Sequence, residues 1–315
     1  MTSQGTAPRI RAKQRLGDRI FSNSALTAGG LILAILAAVA AFLLVESVPA
    51  LTADPDDVNI LNGEPFWSYV APLVFGTLWA SALALLMAVP VSIGIALFIS
   101  HYAPRRLAQG LGYVIDLLAA VPSVVFGLWG GNVLAPAVQP LYTWLTENLG
   151  WIPLFAPPAS GTGRTILTAA IVLAVMVLPI ITALSREVFL QTPVLHEEAA
   201  LALGATRWEM IRTAVLPFGR PGIVSASMLG LGRALGETMA VAMVLSASGG
   251  ITFAVLTSSN PGTIAANIAL RFPEAFGLNI NLLIATGLIL FAITLIVNMI
   301  ARGILARRKE FSGAN

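Results

Sequence analysis

The chain contains no cysteine, only two histidines and few charged residues, and each scarcity excludes a class of function. Disulfides, thiolate metal sites and thiol nucleophiles all require cysteine. His101 and His196 are too few for a histidine metal cluster, so neither metal nor redox chemistry is expected. Charged residues make up 10% of the 315 residues, against roughly 25% in soluble domains. This composition argues against a soluble enzyme, and a formal net charge of only +3 does not favour nucleic-acid binding.

Hydrophobic residues are abundant instead, at 57% of the chain. They form six runs long enough to cross a hydrocarbon core of about 30 Å. Backbone hydrogen bonding in lipid requires such runs to be helical. The sequence therefore predicts an all-α integral membrane protein with six transmembrane helices. The predicted spans are residues 25–45, 73–99, 111–134, 165–184, 222–245 and 282–301.

Basic residues are concentrated in the segments on one side of these spans. By the positive-inside rule that side is cytoplasmic, which predicts a multi-pass protein of the bacterial cytoplasmic membrane with both termini inside. The opposite segments hold only Arg164 and Arg271, and residues 46–72 carry five acids and no basic residue. The residues on the basic side are Arg9, Arg11, Lys13, Arg15, Arg19, Arg105, Arg106, Arg186, Arg207, Arg212, Arg220, Arg302, Arg307, Arg308 and Lys309.

The predicted organisation follows from these spans. A cleaved signal peptide is the alternative for the N-terminal segment, but its apolar run exceeds the about 7–15 residues of a signal peptide's hydrophobic region. The first span is therefore expected to be retained. The predicted parts are a cytoplasmic tail at 1–24, the first transmembrane helix at 25–45, an acidic outer loop at 46–72, a core of five transmembrane helices at 73–301 with a long cytoplasmic loop at 185–221, and a cytoplasmic basic tail at 302–315.

Prolines and the outer loops give two further expectations. Pro90 and Pro122 lie inside the second and third predicted spans and should kink them, because proline removes a backbone donor. The outer loops at 139–164 and 249–281 are rich in Pro, Gly and Asn but remain fairly apolar. Short interfacial or re-entrant helices are expected there.

The long cytoplasmic loop contains a specific motif. Its middle predicts an amphipathic helix-turn-helix, with Gly204 able to turn the chain at positive φ. The segment Glu198-Ala199-Ala200, followed by Gly204 and then by Leu216-Pro217, resembles the Glu-Ala-Ala loop of the permease subunits of ABC importers. Ala214 stands where that family usually has isoleucine, and the spacing is unchanged.

The resemblance implies that this loop is a coupling helix that docks in a separate ATPase subunit. An ordinary amphipathic interfacial helix is the alternative. The chain has no Gly-x4-Gly-Lys-Ser/Thr motif, so ATP and Mg are expected on the partner ATPase, and this chain is expected to be neither an enzyme nor a cofactor-binding protein. The expected ATPase-coupling residues are Glu198, Ala199, Ala200, Gly204, Leu216 and Pro217.

The fifth span contains a charged pair. Arg233 is predicted to lie roughly 18 Å along the helix from Pro221, close to the middle of the bilayer. A central arginine costs about 2.5–3.5 kcal/mol to insert, so such a residue is a candidate functional site. Glu237 follows at i+4, where the two side chains would share one helix face and could pair. A salt bridge that only holds the helix bundle together is the alternative.

The motif around this pair is more specific than the coupling loop. Residues 232–241, Gly-Arg-Ala-Leu-Gly-Glu-Thr-Met-Ala-Val, and residues 120–128, Ala-Val-Pro-Ser-Val-Val-Phe-Gly-Leu, are similar to the C-type permease of phosphate-specific transport (Pst) ABC importers. The resemblance covers about residues 66–308 and implies a type I (MetI-like) permease fold. It also implies three partners: an A-type permease subunit in a heterodimer, an ATPase dimer and an extracytoplasmic phosphate-binding protein.

The resemblance implies that the charged pair lines a phosphate pathway. Arg233 is the expected contact with the oxyanion, with Glu237 as its resident counter-ion. Ser123 and Thr238 could add hydroxyl donors, although such hydroxyls more often serve helix packing. The alternatives are a permease for another oxyanion, such as phosphonate, molybdate or sulfate, and a proton-coupled secondary transporter that uses Glu237 as a relay. A membrane-embedded enzyme is disfavoured, since no span contains paired carboxylates or clustered histidines.

Overall fold

The computed structural model describes residues 16–309. The expected tail residues before Leu16, including Arg9, Arg11, Lys13 and Arg15, and those after Lys309 lie outside the described residues. The helices are α1 Leu16–Thr52, α2 Phe66–Leu97, α3 Arg105–Ala119, α4 Ser123–Trp129, α5 Ala135–Leu149, α6 Ile166–Leu190, α7 Val194–Ala202, α8 Arg207–Met210, α9 Leu216–Leu235, α10 Met239–Val244, α11 Ile264–Arg271 and α12 Leu278–Lys309.

Within residues 16–309, six helical stretches are long and apolar enough to cross a membrane, as predicted. Three of them contain a π-helical turn, at Phe98–Tyr102, Gly130–Leu134 and Ile211–Val215. No strand is found in this part of the chain, so the predicted all-α class is confirmed. The six stretches are Gly17–Thr52, Phe66–Tyr102, Ser123–Leu149, Ile166–Leu190, Arg207–Leu235 and Leu278–Gly303.

The third span lies further along the chain than predicted. The apolar run at 111–134 is interrupted after α3, and the spanning stretch is Ser123–Leu149. Pro122 precedes α4 and has an extended backbone, so it separates two helices and does not kink one, which corrects the expectation. Proline disfavours the helical conformation of the residue before it, and Val121 is that residue. Asp116 consequently lies on α3, an amphipathic helix outside the span.

The new boundary keeps the predicted alternation of the loops between the two ends of the bundle. Successive spanning stretches alternate in direction, so α3 and α7 share one face of the bundle, while the loops at 53–65, 150–165 and 245–277 share the other. We call these the coupling face and the distal face. Pro90 lies within α2, as expected. The predicted loop at 139–164 begins as the last part of α5, because the third span extends to Leu149.

The centre of the bundle is α6, which packs against both α2 and α9. Of its most apolar window, 67% is buried inside the chain, compared with 28% for the stretch that contains α9. Side chains from α6 such as Leu173, Met176 and Ile181 are fully buried in the main apolar core. The fourth span therefore forms the scaffold on which α9 and its charged residues are positioned.

The first helix is peripheral. The most apolar window of α1 has no buried residue, and most leucines and isoleucines along it are at least half exposed, as suits a surface in lipid. Near its distal end α1 packs against α12. There the Asn281 side-chain amide donates to the Glu46 carbonyl oxygen at 2.8 Å and to its carboxylate at 3.1 Å.

The distal loop at 249–281 folds back into the bundle and contains the short helix α11, in agreement with the re-entrant prediction. Asn260 holds it in place and is fully buried. Its side-chain oxygen accepts from the Ile166 N–H at 3.0 Å, and its amide donates to the Thr257 carbonyl at 2.7 Å. The Thr77 hydroxyl accepts from the Ile264 N–H at 3.0 Å. Asn260 of the loop thus satisfies a backbone donor at the N-terminal end of α6, and Thr77 of α2 satisfies one at the N-terminal end of α11.

Candidate functional site

Arg233 lies in the last turn of α9. The helix macrodipole places partial negative charge at that end, which stabilises a cation there. The residue is partly buried, and its side chain lines a cavity of about 630 Å³ between α6, α9 and α12. Within residues 16–309 it makes no hydrogen bond or ion pair. The fold therefore leaves a cation without a counter-ion beside a cavity.

Glu237 lies outside α9, because that helix ends at Leu235 with Gly236 as its C-cap. The residue is 8% exposed, and its Oε1 accepts a hydrogen bond from the Ala240 N–H at 3.0 Å. This bond satisfies a backbone donor in the first turn of α10. The predicted pairing of Arg233 and Glu237 on one helix face is therefore wrong, and no ion pair joins them in the described structure. The carboxylate instead stabilises a helix break directly beyond Arg233.

Ser123 and Thr238 lie at the starts of α4 and α10, two short helices that pack against each other. A Cβ on Gly127 would lie 2.8 Å from the Cα of Ala240, so glycine is needed for this close approach. The Thr238 hydroxyl donates to the Gly236 carbonyl at 3.1 Å and lines a different cavity, against α11. The structure thus brings the helices of Ser123 and Thr238 together beyond the break.

Only Arg233, among the four expected pathway residues, lines the cavity between α6, α9 and α12. The other polar side chains of this cavity are Ser225 of α9, and Asn298 and Arg302 of α12. The sequence analysis assigned Arg302 only to membrane orientation and did not single out Asn298. Their spacing of four residues within an apolar helix, which places both on one face, is a signal that could have identified them.

The predicted coupling helix is α7, which presents an exposed surface on the coupling face. Glu198 and Ala199 are exposed, whereas Ala200 packs against an apolar cluster formed by α2, α6 and the π turn before α9. Leu195 and Leu203 are 77% and 91% exposed. Large exposed apolar side chains beside charged residues are typical of a surface that binds another protein.

Gly204 ends this helix with φ +86°, as predicted. Its N–H donates to the Leu201 carbonyl at 3.0 Å. The next helical stretch then begins with a capping box, in which the Thr206 hydroxyl accepts from the Glu209 N–H and the Glu209 carboxylate accepts from the Thr206 N–H. Two local signals therefore fix the turn between α7 and α8.

Leu216 and Pro217 lie within the helical stretch that follows. It begins at Arg207, before the position expected from the Leu-Pro motif, and continues through a π turn into α9. Leu216 packs in the same apolar cluster as Ala200, while Pro217 is exposed in the first turn of α9. A proline is tolerated in a first turn because its missing N–H lacks an intrahelical partner there.

A side-chain contact that the sequence analysis missed joins α7 to α2. His101, in the π turn at the end of α2, has its Nε2 3.4 Å from Glu197 Oε1. Its Nδ1 lies 2.7 Å from the Ser100 hydroxyl. Helix α7 is therefore connected to α2 by side chains, and to α6 and α8 through the chain itself.

Comparison with known proteins assigns this arrangement to a family. Residues 88–310 match the family described as "Binding-protein-dependent transport system inner membrane component". The chain belongs to this family. The matched range contains α7, Gly204 and Arg233, so both parts of the candidate site lie within the family's shared region.

Curated relatives place the chain among the PstC-type members of the inner membrane component family. It is 47% identical to phosphate transport system permease protein PstC 2 of Mycobacterium tuberculosis, over 92% of each chain. It is 40% identical to the PstC protein of Mesorhizobium japonicum, over 95% of this chain and 93% of that relative. The predicted C-type subunit is confirmed.

Two solved ABC transporter structures share the fold. An inward-facing MetNI methionine transporter has a TM-score of 0.52 at 17% identity, covering 76% of this chain and 98% of that chain. A bacterial alginate importer has a TM-score of 0.53 at 19% identity, covering 75% and 79%. The predicted MetI-like permease fold is confirmed.

Proposed function

We propose that this chain is a transmembrane permease subunit of an ATP-driven importer that carries inorganic phosphate across the bacterial cytoplasmic membrane. The names of its PstC relatives support the choice of phosphate. The observation that carries the proposal is Arg233, a cation without a counter-ion that faces a cavity beside α9. A residue of this kind within a membrane span is expensive unless it serves a polar ligand.

The chemistry of Arg233 suits a phosphate oxyanion. Guanidinium is planar and permanently charged, and it can donate two parallel hydrogen bonds to phosphate oxygens. Transport also requires that binding be weak enough for release. Glu237 has a different part in this proposal from that of a resident counter-ion, because its carboxylate caps α10. It holds the helix break in place next to the anion's path.

The coupling face is cytoplasmic in this proposal, with both chain termini on that side, and the distal face meets the extracytoplasmic phosphate-binding protein. The chain pairs with an A-type permease subunit, and α7 docks on an ATPase dimer that holds ATP and Mg. When the ATPase dimer closes on ATP, displacement of α7 is transmitted to α2 through the contact between His101 and Glu197. The same displacement reaches α6 and α9 through the chain, which rocks the bundle between inward-open and outward-open states.

The variant Arg233→Gln tests this function in proteoliposomes that contain the complete complex. We expect phosphate uptake to be lost while ATPase activity persists, because glutamine keeps the side chain's polarity but not its charge. Arg233→Lys is the matched control. It keeps the charge without the planar geometry of guanidinium and should retain measurable uptake. Normal uptake by Arg233→Gln would show that the anion does not depend on this residue.

A further inference from the structure

The cavity beside Arg233 contains a second arginine. Arg302 of α12 lines the same space, together with Asn298 from α12 and Ser225 from α9. Its volume of about 630 Å³ falls within the range of about 300–1,000 Å³ typical of small-molecule sites. On α9, Ser225 and Arg233 are eight residues apart, so the polar groups extend over about 12 Å along this helix.

The charges around this cavity have one sign. Among the residues that the structure describes, no carboxylate lines the cavity, and neither guanidinium makes a hydrogen bond or an ion pair. The other lining residues are mainly apolar, including Ile180, Met228 and Leu229. Arg233 is partly buried, and an unpaired cation beside an apolar wall is costly to maintain unless an anion neutralises it. Arg302 is exposed, so its guanidinium is accessible to an incoming anion.

The donors of the cavity match a phosphate group. Each guanidinium offers up to five N–H donors, and the Asn298 amide adds neutral ones. The Ser225 hydroxyl donates to the Pro221 carbonyl at 2.9 Å, which leaves its oxygen as an acceptor for a protonated phosphate oxygen. A tetrahedral oxyanion can accept from several directions at once, whereas a carboxylate is planar. Arg302 also lies nearer the coupling face than Asn298 does, because α12 runs toward that face. The cavity thus extends from Arg233 toward the side on which transported phosphate is released.

We propose that the cavity between Arg233 and Arg302 is a binding site for a tetrahedral phosphate group. The inference rests on the proposed function, because Arg233 belongs to both. Two sources can supply such a group: inorganic phosphate leaving the pathway, or the phosphodiester of an anionic lipid headgroup. Both ligands would accept hydrogen bonds from the same donors. Only a lipid ligand would make transport depend on the headgroup of the surrounding lipid.

The test uses Arg302→Gln in the complete complex, reconstituted in vesicles of phosphatidylcholine alone and in vesicles that also contain phosphatidylglycerol. If inorganic phosphate is the ligand, maximal phosphate uptake falls about tenfold in both vesicles, the scale of one lost charge-assisted hydrogen bond. If a lipid phosphate is the ligand, phosphatidylglycerol stimulates the wild-type complex, and Arg302→Gln loses that stimulation. In either case Arg302→Lys should restore most of the lost activity.

The matched control is Arg220→Gln, which removes an exposed arginine of α9 that does not line the cavity. Its uptake should equal that of the wild type. The proposed site would be contradicted if Arg302→Gln and the wild type had equal uptake in both kinds of vesicle. It would also be contradicted if Arg220→Gln lost as much uptake as Arg302→Gln. If Arg302→Gln fails to assemble, Asn298→Asp replaces it, because an added carboxylate should repel the phosphate group whereas Asn298→Gln should be tolerated. Equal uptake by those two variants would overturn the site as well.

Failure of this inference can be distinguished from failure of the proposed function. Loss of uptake in Arg233→Gln with full uptake in Arg302→Gln would reject only the shared site. Normal uptake in Arg233→Gln would reject the pathway role of that residue, whatever the result for Arg302.

Discussion

Substitution of Gly204 tests whether the turn after α7 positions the coupling helix for its ATPase. The residue has φ +86°, and a Cβ at this position would meet no atom within 4 Å. In the permease without its ATPase, an added side chain therefore strains the backbone at this position and does not clash with neighbouring atoms. A non-glycine residue in this region costs about 1–2 kcal/mol, and asparagine tolerates it better than alanine.

We expect Gly204→Ala to weaken ATPase binding about 5- to 30-fold, which corresponds to this strain if the turn must keep its shape for docking. Gly204→Asn should bind almost as tightly as the wild type, and Gly204→Val more weakly than Gly204→Ala. The assay is a titration of the purified permease heterodimer with the ATPase subunit, together with the ATPase activity of the assembled complex. Equal affinity of the Ala and Asn variants would refute the conformational argument, and unchanged affinity of all three would refute docking at this turn.

Three further predictions concern stability and are read from the melting temperature of the purified complex. Glu237→Ala should destabilise the complex by about 0.5–2 kcal/mol, because α10 loses its cap. Glu237→Gln keeps an acceptor oxygen and should destabilise it less. Equal melting temperatures of the two variants would contradict the capping role. Gly127→Ala should destabilise the complex by about 1–3 kcal/mol, because the added methyl group has no room between α4 and α10. Gly94 has open space around it, so Gly94→Ala should not destabilise the complex. Equal melting temperatures of the two variants would contradict close packing of α4 on α10. Asn260→Leu should destabilise the complex by about 1–3 kcal/mol, because the Ile166 N–H loses its acceptor. An unchanged melting temperature would contradict a stabilising role for that hydrogen bond.

The features that the sequence predicted correctly depend on local signals. Six apolar runs are visible because lipid requires a minimum length of apolar helix, and this requirement does not depend on how the helices pack. The turn at Gly204 was predictable because a glycine after a short amphipathic helix favours positive φ. In both cases the residues that determine the structure lie within one short segment.

Helix breaks inside apolar runs were missed because hydropathy does not change across them. The run at 111–134 remains apolar through Val121, although the proline that follows disfavours a helical conformation at that residue. In the fifth span, Glu237 has the spacing of a helical partner for Arg233, but its carboxylate bonds to the backbone of the next helix. Whether such a side chain pairs or caps depends on packing between α4 and α10, which the sequence alone does not define.

Contacts between distant segments could not be predicted either. Arg302 is separated from Arg233 by almost seventy residues, and only the packing of α12 against α9 places both beside one cavity. The contact between His101 and Glu197 likewise joins the ends of two helices that are far apart in the chain. Charge counting correctly identified how scarce these residues are, but the fold was needed to show which of them meet.

ATP-dependent uptake of radiolabelled phosphate tests the central claim most directly. The measurement uses proteoliposomes that contain this chain with its proposed A-type permease, ATPase and phosphate-binding partners, with molybdate and sulfate as competitors. The proposal predicts that uptake requires both ATP and the binding protein and is unaffected by an excess of either competitor. Uptake driven by a pH gradient without the ATPase, or equal transport of molybdate or sulfate, would contradict it.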